Sequence, residues 1–249
     1  MLEKAKESIQ KGIELGDSTM ADKIPFIDEL IKYESFVKRA MKGKEYREAV
    51  FYSTRLLEQC QDSVRHVKMR IKAGILHNPN DLSDLIKMSY DVQNRFMDSS
   101  VFLFWRGRVL LYNGQNDLAK KHIRQALQID PDNAKAKKFW KTLQQAENLK
   151  ASASGAFKDK LYEVAAGLFT QCLDLDPLNG GYNQTIYFNR ASCYHLLGQY
   201  ENALADCDAA IALNSEYVKA FLKKGDIKMD QEQWEEALHE YNKLKNMAP

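Results

Sequence analysis

All-α is the fold class expected of this chain. Its five prolines and 12 glycines are few for 249 residues, and they cluster at segment ends, as in Ile129-Asp130-Pro131, Asp176-Pro177 and Asn179-Gly180-Gly181. Between these breaks, apolar residues recur three and four positions apart, the spacing that puts them on one face of a helix. No stretch alternates apolar and polar residues as a half-buried strand would.

The elements repeat. Tyr200-Glu-Asn-Ala203 and Trp234-Glu-Glu-Ala237 place an alanine three residues after an aromatic, and the two alanines are 34 residues apart. Leu85 and Ala119 are separated by the same 34 residues. Tyr46-Arg-Glu-Ala49 and Tyr162-Glu-Val-Ala165 open further copies. Paired helices at a 34-residue period are the signature of the tetratricopeptide repeat (TPR), which stacks into an α-α superhelix. The clearest copy spans 100–133, with Leu103, Gly107, Leu110, Gly114, Ala119, Ile123, Ala126 and Pro131 at the pattern's offsets. Gly107 and Ala119 let two helices approach closely, and Pro131, lacking a backbone N–H, ends the second one.

The remaining copies read as 30–65, 66–99, 146–179, 184–217 and 218–249. The copy at 66–99 is the weakest, because Leu85 replaces the usual alanine; Ser215 stands where a proline is usual. Two insertions break the phase. Residues 134–145 carry Phe139 and Leu143 four apart and are expected to be helical, closing one block and leading into the next. Gly180-Gly181-Tyr182-Asn183 is expected to lengthen the loop between two helices. Residues 1–29 are expected to form an amphipathic capping or remnant helix and a loop through Gly16-Asp17-Ser18. The organisation expected is thus 1–29, an N-terminal TPR block over 30–145, and a second block over 146–249.

Composition excludes several function classes. With Lys+Arg 36 against Asp+Glu 34 the net charge is +2, without the concentrated basic field of a nucleic-acid binder. No apolar run approaches the roughly 20 residues needed to cross a bilayer, and the charged N-terminus has no signal-peptide core. A cytosolic location, with the nucleus as a second, is expected. The four cysteines form no CxxC pair and have no zinc spacing with histidine, so they are expected in the core of a reduced protein. The five histidines are scattered. No phosphate-binding, dinucleotide-binding or hydrolase motif occurs. No metal, no cofactor and no catalytic residue is expected, and the chain reads as a binder and not an enzyme. Acidic pairs on second helices, Glu201 with Asp206 and Glu235 with Glu236, are expected to face solvent or to pair with lysines.

Binding in such an array falls on the concave face, lined by the first helix of each pair. Lys150 and Ser154 are one helical turn apart on the first helix of the fourth copy, as are Lys219 and Lys223 on that of the sixth; Asn189 lies on the helix between. Residues four apart share a helix face. Three successive helices would therefore aim ammonium groups, a hydroxyl and an amide at one groove, a set suited to carboxylates through charge-assisted hydrogen bonds. Phe157, Tyr187, Ser192 and His195 are candidates to line the same groove; most other aromatics are expected to pack between helices. In the N-terminal block the groove positions Glu34, Lys38, Arg70 and Arg106 form no such set; that block is expected to bind client segments or to extend the array.

The set resembles the dicarboxylate clamp of chaperone-binding TPR domains, with Ser154 in place of that pattern's first asparagine. The stretches Tyr46-Arg-Glu-Ala-Val-Phe, Gln125-Ala-Leu-Gln-Ile-Asp-Pro-Asp-Asn and Asn189-Arg-Ala-Ser-Cys-Tyr, and the direct run of one block into the next at 146–158, are similar to the TPR region of the family of J-domain co-chaperones called DnaJ subfamily C member seven. The likeness covers roughly 25–249. It implies a cytosolic co-chaperone that binds the C-terminal EEVD tails of the seventy- and ninety-kilodalton heat-shock chaperones and passes client proteins between them. That family also carries a further N-terminal TPR block and a J domain. No His-Pro-Asp tripeptide occurs here (His77-Asn-Pro-Asn is not one), so a fragment, or a relative without the J domain, is expected. Two other readings stay open: a TPR subunit that packs an internal peptide or helix of a stable complex, and a regulatory domain of an enzyme whose catalytic part lies outside these residues.

Overall fold

The computed structural model describes residues 2–245. Every regular element among the described residues is helical. The helices are α1 (Leu2–Glu14), α2 (Ile24–Gly43), α3 (Tyr46–Gln59), α4 (Val64–His77), α5 (Ser83–Asp91), α6 (Gln93–Phe96), α7 (Ser100–Tyr112), α8 (Asn116–Ile129), α9 (Ala134–Lys158), α10 (Tyr162–Leu175), α11 (Gly180–Leu196), α12 (Tyr200–Leu213), α13 (Val218–Asp230) and α14 (Trp234–Lys245). A short 3-10 turn at Ala21–Lys23 leads into α2. No described helix is long and apolar enough to cross a membrane.

The turn inside five of the helix pairs has a common form. Lys44, Gly114, Lys160, Gly198 and Glu232 all take positive φ, between 60° and 81°, and each stands two residues before the second helix of its pair, at α3, α8, α10, α12 and α14. A left-handed residue ends a helix and reverses the chain at little cost when it is glycine. The copy at 66–99 has no such residue, and its second helix is broken into α5 and α6. The methyl groups of Leu85, which stands where the neighbouring copy has Ala119, lie over Gly74, 2.8 Å from where a Cβ would stand. In 100–133, a Cβ on Gly107 would meet Ile123 Cγ1 at 2.6 Å and the Ala119 carbonyl at 3.1 Å.

The chain forms two compact units, one up to Asn78 with Ser83–Arg106, the other Pro79–Leu82 with Gly107 onward. In the first unit α2, α3 and α4 pack in sequence around Leu30, Val37 and Leu56, and around Ala40, Ala49 and Ala73. Glu34 is 6% exposed and takes His66 Nε2 at 3.0 Å and Arg65 Nη2 at 2.7 Å. Arg106, expected on the groove face, is instead 1% exposed; its guanidinium donates to the Ser89 carbonyl at 2.7 Å and lies over the Tyr90 ring. Its long stem packs like an apolar residue while its head finds a carbonyl and a π-face, so it is a structural group and not a ligand contact.

In the second unit α9 to α14 pack each against the next, and α13 also touches α11. One core cluster holds Ala153, Ala165, Phe169, Cys172, Ile186 and Cys193, and the next holds Ala191, Ala203, Cys207, Ala210, Ala220 and Ile227. Three of the four cysteines are buried and Cys60 is half-buried, all as free thiols. Burial pushes the Cys193 thiol up to about 11 and the Cys207 thiol up to about 12, which keeps both neutral and unreactive. Asp206 departs from the solvent-facing role expected of it. It is 5% exposed and accepts both Arg190 Nε and Nη2 at 2.7 Å, while Nη1 of the same guanidinium donates to Thr170 Oγ1 at 2.8 Å. Glu236 does pair with a lysine, Lys228, at 2.7 Å.

Both phase breaks are absorbed as helix. Residues 134–145 run without interruption into the fourth copy as the 25-residue α9, capped by Asn133 Oδ1 accepting the Ala136 N–H at 3.1 Å. Residues 180–183 form no longer loop; they are the first turn of α11. Asn179 accepts the Tyr182 N–H at 3.3 Å, Asn183 Nδ2 donates to the Asp176 carbonyl at 2.9 Å, and the Tyr182 hydroxyl donates to the Ala146 carbonyl at 2.9 Å. Four extra residues are about one helical turn, so the added segment keeps the face of α11 in phase. The glycines serve close approach: a Cβ on Gly181 would lie 2.6 Å from Gly114 N and 2.9 Å from the Tyr112 carbonyl. Backbone cannot swing aside as a side chain can. Gly181→Ala is therefore expected to destabilise the unit by about 1–3 kcal/mol in urea unfolding. Gly167→Ala, on α10 with nothing within 4 Å of the new methyl, should instead gain about 0.5–1 kcal/mol.

Candidate functional site

The second unit carries a cleft of about 250 Å³ between α9 and α11, lined by Ser154, Phe157, Lys158, Phe169, Phe188, Asn189 and Ser192. Its floor is Phe169 of α10, 2% exposed and part of the core. Its walls are set by helical spacing: Ser154 and Lys158 are one turn apart on α9, and Phe188 and Ser192 one turn apart on α11. Four of the residues expected from sequence, Ser154, Phe157, Asn189 and Ser192, thus share one cleft.

The polar groups in it are not equivalent. Ser154 Oγ donates to the Lys150 carbonyl at 2.8 Å, and Ser192 Oγ donates to the Phe188 carbonyl at 3.1 Å. Both hydroxyl protons are spent inside their own helices, and what these serines offer the cleft is acceptor lone pairs. Asn189 is half-buried and its side-chain amide makes no hydrogen bond among the described residues. It is the cleft's available neutral donor.

Of the lysines expected in the set, none lines this cleft. Lys150 is one turn before Ser154, its ammonium 5.5 Å from the centre of the Tyr182 ring. Lys219 is exposed and Lys223 half-buried, one turn apart on α13, which packs beside α11. They are not part of the cleft wall itself. Two further lysines follow on α13, and they behave differently. Lys224 reaches Asp208 at 2.7 Å and Glu240 at 3.5 Å, and Lys228 reaches Glu236 at 2.7 Å. Among the described residues neither Lys150, Lys158, Lys219 nor Lys223 has a carboxylate within 4.0 Å. One face of α13 is thus neutralised by its own fold, and another keeps two like charges a turn apart, an arrangement that costs an isolated helix about 0.2–0.5 kcal/mol.

Two expected lining residues lie elsewhere. Tyr187 packs against both core clusters, with the Arg190 guanidinium 5.6 Å from its ring centre. His195 Nε2 is 2.7 Å from Asp230 Oδ2, and its ring lies against Tyr200. Three lining residues escaped the sequence reading: Lys158, Phe169 and Phe188. Lys158 was detectable, since it continues the Lys150, Ser154 stripe by one more turn. Phe188 and Phe169 carry no signal that separates a cleft aromatic from a packing one. No cluster of three or more metal-ligating side chains occurs among the described residues.

This fold and these helix pairs define a protein of tetratricopeptide repeats: the family model described as tetratricopeptide repeat matches residues 100–133 and 185–217. The particular relatives agree with the resemblance drawn from the sequence. The chain is 28% identical over 242 residues to mouse DnaJ homolog subfamily C member 7, covering 96% of this chain and 49% of that protein. It is 32% identical over 172 residues to the Schizosaccharomyces pombe DnaJ homolog subfamily C member 7 homolog, covering 69% of this chain and 36% of the relative. The chain therefore spans about half the length, or less, of these curated relatives. Among solved structures, the TPR domain of P58(IPK) superimposes with a TM-score of 0.57 at 17% identity, over 97% of this chain and 68% of that one, which shows the shared fold.

Proposed function

We propose that the chain is a chaperone-binding adaptor whose second unit grips the C-terminal EEVD tail of seventy- and ninety-kilodalton heat-shock chaperones. In this reading Lys219 and Lys223 hold the terminal carboxylates with Lys150, the Asn189 amide donates to the tail's last residues, and an apolar side chain of the tail enters the cleft over Phe157, Phe169 and Phe188. The adaptor then assists the folding or transfer of client proteins in the cytosol or nucleus, without chemistry of its own.

The observation that carries the reading is the charge pattern on α13. Lys224 and Lys228 are matched by acidic partners, and Lys219 and Lys223, one turn apart beside α11, are not. Two uncompensated cations on α13, with a half-buried amide donor on the helix α11 that it touches, suit an anionic ligand that brings two carboxylates at one end. Similarity to relatives named as DnaJ homologues supports a chaperone as the ligand's owner.

The test is a titration by calorimetry of a peptide ending in EEVD, once with its terminal carboxylate free and once amidated. Micromolar binding of the free acid and a marked loss on amidation are expected. Equal binding of the two, with internal peptides competing as well, would favour a scaffold that packs an internal segment. A second expectation concerns Ser154. Its proton is held by the Lys150 carbonyl, so Ser154→Asn, which brings an amide donor to the same wall, should tighten the free-acid peptide by about 0.5–1.5 kcal/mol.

A further inference from the structure

The first unit also carries a cleft, and its chemistry differs from that of the cleft between α9 and α11. About 330 Å³ of space lies between α2 and α4, lined by Val37, Lys38, Met41, Arg65, Lys68, Met69 and Lys72. Val37, Met41 and Met69 make an apolar floor. The other four lining residues are cationic, and no acid stands among the seven. Helical spacing explains the layout: Lys38 and Met41 are three apart on α2, and Arg65, Lys68, Met69 and Lys72 share one face of α4.

One carboxylate, Glu34, pairs with two of these four cations. Glu34 is shared between Arg65 at 2.7 Å and Lys38 at 3.7 Å, and it also takes His66 at 3.0 Å. It is buried and outside this cleft's wall. Lys72 is exposed and has no ion pair among the described residues.

The chain itself indicates what this surface accepts. An adjoining hollow of about 80 Å³ is lined by Leu2, Glu3, Ile31, Glu34, Ser35, Lys38 and Arg65. There α1 sets an apolar residue, Leu2, against the cluster that contains Val37, Met41 and Met69, and the exposed Glu3 lines the same hollow as Lys38 and Arg65, with no ion pair to either among the described residues. An apolar side chain and a carboxylate thus follow one another along a hollow that shares Lys38 and Arg65 with the cleft.

We propose that the α2/α4 cleft is a second peptide site, which takes an internal acidic segment carrying large apolar side chains. Methionine floors adapt to apolar groups of varied shape, and lysine and arginine stems can lie along such a floor while their heads reach carboxylates. Because no set of donors converges on one point, the site reads the alternation of apolar and acidic residues and not a chain end. It is separate from the carboxylate-end site proposed for the second unit.

The probe is a fluorescein-labelled peptide of about ten aspartates and glutamates with two central leucines, acetylated and amidated so that it offers no terminal carboxylate. Anisotropy titration of the full chain is expected to show saturable binding. Lys68→Glu with Lys72→Glu should weaken it at least about tenfold, and Met41→Ser, which leaves every charge in place, about fivefold. Affinity for the free-acid EEVD peptide should change less than about twofold in both variants, which also reports that they are folded. Replacing the probe's leucines by serine should cost about tenfold. Unchanged affinity in both variants, absence of binding, equal binding of the serine probe, or displacement by a single-stranded oligonucleotide as readily as by unlabelled peptide would each overturn the proposal.

Discussion

Arg190→Ala is expected to destabilise the second unit by about 3–5 kcal/mol, read as a shift of the urea midpoint followed by circular dichroism. Asp206 has 7% of its side chain exposed and Arg190 17%. The guanidinium makes two bonds of 2.7 Å to that carboxylate and a third to Thr170, and it lies 5.6 and 5.7 Å from the Tyr187 and Tyr194 ring centres. The hydrogen bonds to Asp206 hold the guanidinium pKa above its usual value despite burial. Removing it strands a carboxylate where water cannot replace its donors. The loss therefore exceeds that of an exposed pair, about 0–1 kcal/mol. The double change Arg190→Met, Asp206→Leu removes both charges and should restore most of the stability, because much of the single mutant's cost is the orphaned anion and not the lost attraction. A single mutant as stable as the native chain would mean that the pair is solvated in solution.

This pair also marks where the sequence stops being legible. The period of 34 residues, the close approach at Gly107 and Ala119, and the helical nature of 134–145 follow from side-chain size and spacing, and such features are local. Asp206 looked like one more acid on a second helix. Its burial depends on Arg190, 16 positions earlier on the neighbouring helix, and no local spacing announces that. Gly180-Gly181 misled for a related reason. Two glycines in sequence read as a turn, but here Gly181 is small because the Tyr112–Gly114 backbone lies against it, a contact across 67 positions. Arg106 repeats the lesson: its position predicts a groove face, and Ser89 and Tyr90 draw it into the core.

The candidate site divides the same way. Ser154, Asn189 and Ser192 were placed on a shared cleft by helical periodicity alone. Which lysines are spent on internal acids was not readable, since Lys219, Lys223, Lys224 and Lys228 look alike in sequence. Only the positions of Asp208, Glu236 and Glu240 on neighbouring helices separate them.

The second large effect follows from that separation. Lys219→Ala with Lys223→Ala is expected to cost about 2–5 kcal/mol in binding of the free-acid EEVD peptide, the range for truncating one partner of a hydrogen-bonded charge pair. Lys224→Ala, whose ammonium is already engaged by Asp208 and Glu240, should leave peptide binding nearly unchanged while it lowers stability. Raising the salt from low ionic strength should weaken the native complex and affect the double variant much less, since attraction between exposed charges is screened.

The most direct measurement is a double-mutant cycle that pairs Lys219→Ala with amidation of the peptide's C-terminus. If the Lys219 ammonium meets the terminal carboxylate, the two changes remove the same contact, and their coupling should be at least about 1.5 kcal/mol, the low end measured for close charge pairs. Purely additive losses, with coupling indistinguishable from zero, would contradict a clamp at Lys219 and leave α13 with two surface lysines that serve some other contact.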